Sequence, residues 1–359
     1  MCAIAAPHAP SSCNDPGDSS GRPSIAMALT PAEHQHLDVN GYVVLKSLMP
    51  PALCRRACAV TDALVGPPAA QTQRLPLYVG PRQTDPLRAF GDVEAALDAR
   101  SPITVSTGDY KHLLWHPFFD SAAVVAAELV APLVNANREL LLGGGDGTDR
   151  RQRLRLGQQL IMRTDPSPPP YAAPVRTPEA PTWHTDFHVI YPFDTPFFHC
   201  LTALAPIAAG QAAFTIVPGS AKLALAWLAG MSAEGIQRMR DDVGFRESQQ
   251  RSFVATVDRS RAVEIEMDEG DVIIFSLLSV HSGSESSNGL SRHALFTTFF
   301  VEGTQRIISQ QKATGIWSPP SKFPLTFRSA LRKLDLESLL DWEPVVPRND
   351  GADRHGARL

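Results

Sequence analysis

In the stretch Thr182-Trp183-His184-Thr185-Asp186-Phe187 an imidazole and a carboxylate stand two residues apart. On a strand, period two puts both side chains on one face. Downstream, Asp268-Glu269-Gly270-Asp271 reads as a tight turn feeding the apolar run Val272-Ile273-Ile274-Phe275, and His281-Ser282-Gly283 follows where that strand opens out. Two imidazoles and one carboxylate hold divalent iron on one side of its coordination sphere and leave positions open for a chelating cosubstrate and O2. Arg292 follows His281 by eleven residues. On an antiparallel next strand its guanidinium returns beside the metal, and a fixed bidentate cation suits the distal carboxylate of 2-oxoglutarate. The expected metal ligands, which are also the catalytic residues, are therefore His184, Asp186 and His281, with Arg292 binding the cosubstrate.

These residues need a scaffold of strands. From Arg138 onward strand signals dominate: Glu139 to Leu142, Leu154 to Met162, His184 to Ile190, Phe198 to Leu204, Phe214 to Val217, Val263 to Met267, Val272 to Phe275 and His293 to Val301. Eight short strands imply a double-layered sandwich or barrel. Helices come first. Thr30-Pro31-Ala32-Glu33 is a capping box with Pro at the first helical position. A strand Tyr42 to Leu45 follows, then helices over about Ala52 to Leu64 and Phe118 to Val134, with loops between Gly66 and Pro117. Ala221 to Asp241 reads as a helical insertion, and Pro324 to Trp342 has an amphipathic helical period. The Pro-rich stretch 165–182 cannot form regular structure and is expected to be a lid over the site. Residues 1–28 are expected to be a disordered tail, 29–343 a single catalytic domain and 344–359 a flexible tail.

The bulk composition removes several function classes. A net charge of -4 with no basic, aromatic-interleaved segment argues against nucleic acid, and no apolar run is long enough for a membrane span. The basic run Asp149 to Arg155 is expected to be a solvated strand edge. Five cysteines at irregular spacing describe no disulfide framework, and Cys54 and Cys58 read as small buried hydrophobes. A cytoplasmic location is expected, and the reading admits a homodimer.

With these motifs in hand, the chain resembles the phytanoyl-CoA dioxygenase-like family of Fe(II)/2-oxoglutarate enzymes over roughly Leu29 to Val301. The opening Leu29-Thr30-Pro31 through Gly41-Tyr42-Val43-Val44-Leu45 carries the likeness, as do Trp183-His184-Thr185-Asp186, Val217-Pro218-Gly219-Ser220, Gly270-Asp271, and His281 with Arg292. The resemblance implies a mainly β fold with flanking helices, built on a double-stranded β-helix (jelly-roll, cupin-type) core. It implies Fe(II), 2-oxoglutarate and O2 as cofactor and cosubstrates, succinate and CO2 as coproducts, and hydroxylation of a small molecule as the default outcome. Family halogenases replace the carboxylate ligand with a small residue, whereas Asp186 is retained here. The family pattern has His after Pro-Gly-Ser where Ala221 stands, and an acidic-Asn-Gly turn where Ala208-Ala209-Gly210-Gln211 stands. Those departures suit a specialised biosynthetic enzyme.

Further contacts are expected: one with 2-oxoglutarate or substrate from the resemblance, and two with the cosubstrate from the residues themselves. Gln158 or Gln159 occupies a family contact position, strand alternation allows only one to face inward, and Gln159 is the expected one. Thr202 is placed to bond a cosubstrate carboxylate, with an ordinary β-branched strand residue as the competing reading, and Ser279 is a weaker candidate of the same kind. His188 shares strand parity with the ligands, Trp183 and Phe187 have core parity, and Lys111 and His112 read as surface residues. Two rivals stand against the oxygenase reading: a cupin-type metal enzyme that does not use 2-oxoglutarate, against which Arg292 argues, and a non-catalytic binding protein on the same fold.

Overall fold

The structure is a computed structural model that describes residues 29–65, 104–107, 111–114, 117, 122–142, 154–165, 183–186, 190–193, 197–283, 289–301, 305–306, 323 and 325–341. Helix α1 (Pro31–Asn40) begins with the expected capping box. The Glu33 N–H donates to Thr30 Oγ1 at 3.2 Å, and the Thr30 N–H donates back to Glu33 Oε2 at 2.6 Å. The helix ends at Gly41, whose φ of 80° is the left-handed cap that ordinary residues resist. That turn delivers β1 (Tyr42–Leu45) directly to the edge of the main sheet.

Helix α2 (Pro51–Val65) follows, then β2 (Thr104–Thr107), β3 (Lys111–Leu114) and helix α3 (Ala123–Leu142). Next come β4 (Leu154–Thr164), β5 (Ile190–Tyr191), β6 (Phe198–Ala203) and β7 (Phe214–Ile216). Three helices form the insertion: α4 (Ser220–Ala229), α5 (Ala233–Asp241) and α6 (Val243–Thr256). The chain returns through β8 (Val263–Ile265), β9 (Val272–Ser276), β10 (His281–Gly283), β11 (Arg292–Val301) and β12 (Gln305–Arg306), and α7 (Leu325–Lys333) follows. The large antiparallel sheet has the order β1-β9-β6-β11-β4-β3-β2, the small one β10-β7-β8, and β12 pairs with β5. From β6 the chain crosses to the small sheet for β7 and β8, returns to the large sheet for β9, crosses again for β10 and returns for β11, which is the winding of a double-stranded β-helix.

Both faces of the large sheet are buried. Its inner face meets the small sheet through Leu201, Ala203, Phe214, Ile216, Ile273, Phe275 and Ala294. Its outer face is covered by helices, with Cys200, Ile274, Leu295 and Phe299 packed against Leu129, Leu133 and Phe327. A separate cluster of Val217, Leu228, Phe253, Leu278 and Val280 roots the insertion helices against the ligand-bearing end of the small sheet, and Trp183 packs into it as expected.

Four sequence expectations are corrected. Glu139 to Leu142 is the last turn of α3, not a strand, and the helix runs on past Pro132. It is held by Asn137 Nδ2, which donates to the Leu133 carbonyl and to Cys200 Sγ, and by Glu139, which accepts the Leu29 N–H. His184 to Ile190 is not a continuous strand: His184 forms one bridge to His281, and β5 begins only at Ile190. The basic run does not end as a solvated edge, because Arg155 is buried and its Nη1 donates to the Ser338 carbonyl at 2.7 Å. The helical insertion extends beyond Asp241 through α6, whose N-cap Asp242 accepts the Phe245 N–H. Phe187, His188 and almost all of the Pro-rich stretch lie outside the described residues. No helix among the described residues is long and apolar enough to cross a membrane.

Candidate metal centre

Three consecutive residues are each tied down from a different direction. His184 exchanges both backbone hydrogen bonds with His281, N to O at 3.0 and 2.9 Å, and so becomes an edge extension of the small sheet. The Thr185 carbonyl accepts a hydrogen bond from Gln250 Nε2 on α6. The Asp186 N–H donates to the Leu277 carbonyl at 2.8 Å. A strand was expected to put both side chains on one face, but these three ties achieve it without one.

The result is a compact ligand set. One atom each from His184, Asp186 and His281 lies within 4.8 Å of the other two, and it is the one such group of metal-binding side chains among the described residues. His281 Nδ1 lies 3.0 Å from the Ser279 carbonyl. A carbonyl only accepts, so Nδ1 carries the proton and the neutral ring presents a lone pair at Nε2. That Nε2 stands 3.3 Å from Asp186 Oδ2. A lone pair facing a carboxylate oxygen at that distance needs a cation between or beside them, so the donor set fits a divalent metal. Burial alone would raise the Asp186 carboxyl, but the hydrogen bond from His199 and the adjacent imidazoles of His281 and His184 hold it well below the usual carboxylate range. Asp186 is therefore an anion at neutral pH.

Arg292 opens β11 opposite Thr164 and is buried. Its Nη1 donates to the Ala212 carbonyl and its Nη2 to Thr164 Oγ1 at 3.3 Å, while Nε meets no hydrogen-bond partner among the described residues. Burial pulls its pKa down to about 10. A buried guanidinium held by neutral acceptors is a receptor waiting for an anion, because an uncompensated charge in a low dielectric costs several kcal/mol, roughly. Phe214 and Phe275 lie against His281, with ring centroids at 5.3 and 4.9 Å, and give the inner side of the centre a dry wall.

A model of the phytanoyl-CoA dioxygenase (PhyH) family matches residues 37–294, a span holding the three clustered side chains and Arg292. The chain belongs to the phytanoyl-CoA dioxygenase family. It is accordingly a non-haem iron, 2-oxoglutarate-dependent enzyme of the oxygenase type that acts on small molecules. Among curated proteins, none matches this sequence. Solved structures similar to this PhyH-family chain include HygX from Streptomyces hygroscopicus with nickel and 2-oxoglutarate bound, at 14% identity and TM-score 0.41 over 78% of this chain and 91% of that one. The epimerase SnoN from nogalamycin biosynthesis is similar at 12% identity and TM-score 0.40, over 77% of this chain and 83% of that one. EctD from S. alaskensis with bound Fe is similar at 14% identity and TM-score 0.44, over 76% of each chain.

Three expected cosubstrate contacts of this PhyH-family enzyme are corrected. Gln159 faces outward and its Nε2 donates to the Ala126 carbonyl of α3 at 2.8 Å, so Gln158, paired with Thr298, is the inward residue. Thr202 pairs with Leu295 and Val272 on the same helix-covered face and points away from the centre. Ser279 spends its hydroxyl on the Gly41 carbonyl at 3.1 Å and serves the site through its own backbone carbonyl instead. Gly41 cannot be otherwise, since a Cβ there would stand 2.5 Å from Ser279 Oγ.

Four residues without a sequence signal also belong here: Thr164, Gln250, Thr298 and His199. His199 is buried and places Nε2 3.2 Å from Asp186 Oδ2. The one available hint was parity on β6, which puts His199 on the face of Leu201 and Ala203.

Proposed function

We propose that His184, Asp186 and His281 hold Fe(II), that Arg292 receives the distal carboxylate of 2-oxoglutarate, and that the enzyme hydroxylates a small molecule of specialised metabolism. The opposed lone pairs of His281 Nε2 and Asp186 Oδ2 at 3.3 Å, a gap that calls for a cation, carry the metal assignment. Iron bound there supplies the redox chemistry that couples O2-dependent substrate oxidation to decarboxylation of 2-oxoglutarate to succinate and CO2.

The residues of this chain prepare that chemistry. The His184–His281 backbone bridge sets the two imidazoles before any metal arrives, so little reorganisation is needed on binding. Asp186 supplies the anionic ligand without proton competition. Arg292 orients the cosubstrate by its far end, and its cation is stronger for being buried. Phe214 and Phe275 keep water from the inner side of the centre.

Hydroxylation is favoured by Asp186 itself, whose carboxylate fills the place a halide would need. Specialised metabolism is supported by Ala221, buried against the Gly41 turn where the family pattern has His. The test is product analysis with Fe(II), 2-oxoglutarate and O2 across candidate small molecules. The proposal expects one succinate per turnover and a product heavier by one oxygen atom. Substrate consumption without succinate would replace it with cupin-type metal chemistry.

A further inference from the structure

His199 on β6 touches the candidate centre without belonging to the ligand group, since that group holds only His184, Asp186 and His281. Resting on the metal assignment above, we propose that His199 is a positioning residue: its ring holds the Asp186 carboxylate at Oδ2 and so fixes the orientation in which that carboxylate meets the metal.

The geometry fixes each proton. A carboxylate that serves as a metal ligand only accepts, so the 3.2 Å contact from His199 Nε2 to Asp186 Oδ2 is an N–H donation. In the neutral ring Nδ1 is then an acceptor, and it lies 2.7 Å from Thr298 Oγ1, whose hydroxyl donates to it. Thr298 is the antiparallel partner of His199 across β6 and β11, so backbone pairing sets this relay. Three aromatic rings pack against the imidazole, with centroids at 5.8 Å for Phe197, 5.4 Å for Phe275 and 4.5 Å for Phe296. Those rings leave little rotational freedom, so the proton on Nε2 is aimed at Asp186 by construction. Asp186 Oδ2 also lies 3.3 Å from His281 Nε2, and Oδ1 lies 3.9 Å from His184 Nε2, so fixing the carboxylate sets its distance to both imidazoles. A carboxylate held by an outer hydrogen bond meets the metal in one pose, which is what outer partners of metal ligands do.

A ring that merely filled space would be replaceable by Phe. The experiment is anaerobic Co(II) titration of metal-free protein, read by affinity and by the visible d–d spectrum. Wild type is expected to bind one Co(II), and Asp186→Ala to lose it. A wild type that binds none would instead remove the metal assignment and this proposal together. With that established, His199→Phe is expected to weaken Co(II) binding by about 10- to 100-fold with an altered d–d band, the range found for outer partners of metal ligands. His199→Gln, which keeps an N–H donor near Nε2, is expected to restore most of the affinity. Wild-type affinity and spectrum in His199→Phe would overturn the proposal while leaving the metal assignment intact. If the Phe variant does not fold, Thr298→Val carries the test: weaker binding supports the relay, and unchanged binding overturns it.

Discussion

His184 and His281 are bound to each other through both backbone N–H groups, at 3.0 and 2.9 Å, and their rings lie with centroids 4.3 Å apart. Two residues almost a hundred positions apart in sequence are thus one hydrogen-bonded pair, and the spacing between their imidazoles is a property of the sheet.

Because that pairing is made by backbone, it survives truncation of either side chain. His184→Ala and Asp186→Ala are each expected to abolish turnover and metal uptake while melting within a few degrees of wild type, and His281→Ala, at a buried position, to abolish both with a larger loss of melting temperature. Circular dichroism melts beside metal analysis check this. Substantial residual activity in any of the three would remove that residue from the centre.

Arg292→Met is expected to cost about 2–5 kcal/mol of 2-oxoglutarate affinity, the usual loss when a buried charge pair is broken. The cosubstrate-free variant should melt no lower than wild type, because Met ends the cost of an uncompensated buried cation. The folded guanidinium has a pKa of about 10 against an ordinary 12.5, so between those values the unfolded chain binds more protons and the burial cost relaxes as pH rises. The stability gap between Met variant and wild type should therefore narrow from pH 8 to pH 11, measured by urea unfolding. A constant gap would contradict it.

Much of this was legible in the sequence, and the misses share one cause. The capping box at Thr30, the strand Tyr42–Leu45 and the triad residues are signalled by local chemistry, and they stand where expected. Gln159 and Thr202 were assigned to the wrong face because the large sheet is buried on both faces, so β4 shows no alternation of polar and apolar residues to orient it. The short apolar run Glu139 to Leu142 reads equally as strand or helix, and only contacts with Leu29 and Cys200 decide for helix. A lone histidine on a strand offers only its parity, and His199 gains its meaning from Asp186 and Thr298, both distant in sequence.

Gln158 and Gln159 offer a direct test of that corrected facing. Gln159→Leu places an apolar side chain among apolar neighbours and should leave the 2-oxoglutarate requirement unchanged, with stability within about 1 kcal/mol of wild type. Gln158→Leu alters the inner face beside Thr298 and should raise the requirement. Steady-state titration of 2-oxoglutarate in both variants distinguishes them, and the opposite pattern would restore Gln159 to the site.

Burial raises the thiols of Cys54 to about 11 and of Cys58 and Cys200 to about 12, from an ordinary 9.0. At pH 8 these three thiols should therefore react slowly with a thiol reagent until the protein is unfolded. The sign of the pH effect is fixed as well. Above pH 9.0 the unfolded chain sheds thiol protons that the fold retains, so stability falls from there toward pH 12. Cys200→Ala should flatten that alkaline loss in urea melts at pH 8 and pH 11, and an unchanged slope would contradict the assignment.

The most direct measurement is anaerobic addition of Fe(II) to metal-free protein with and without 2-oxoglutarate, followed in the visible region. The account predicts a weak charge-transfer band that requires both components, is absent in Asp186→Ala, and appears in Arg292→Met only at much higher 2-oxoglutarate. Iron binding with no such band at any 2-oxoglutarate concentration would contradict the pairing of the His184, Asp186 and His281 centre with that cosubstrate.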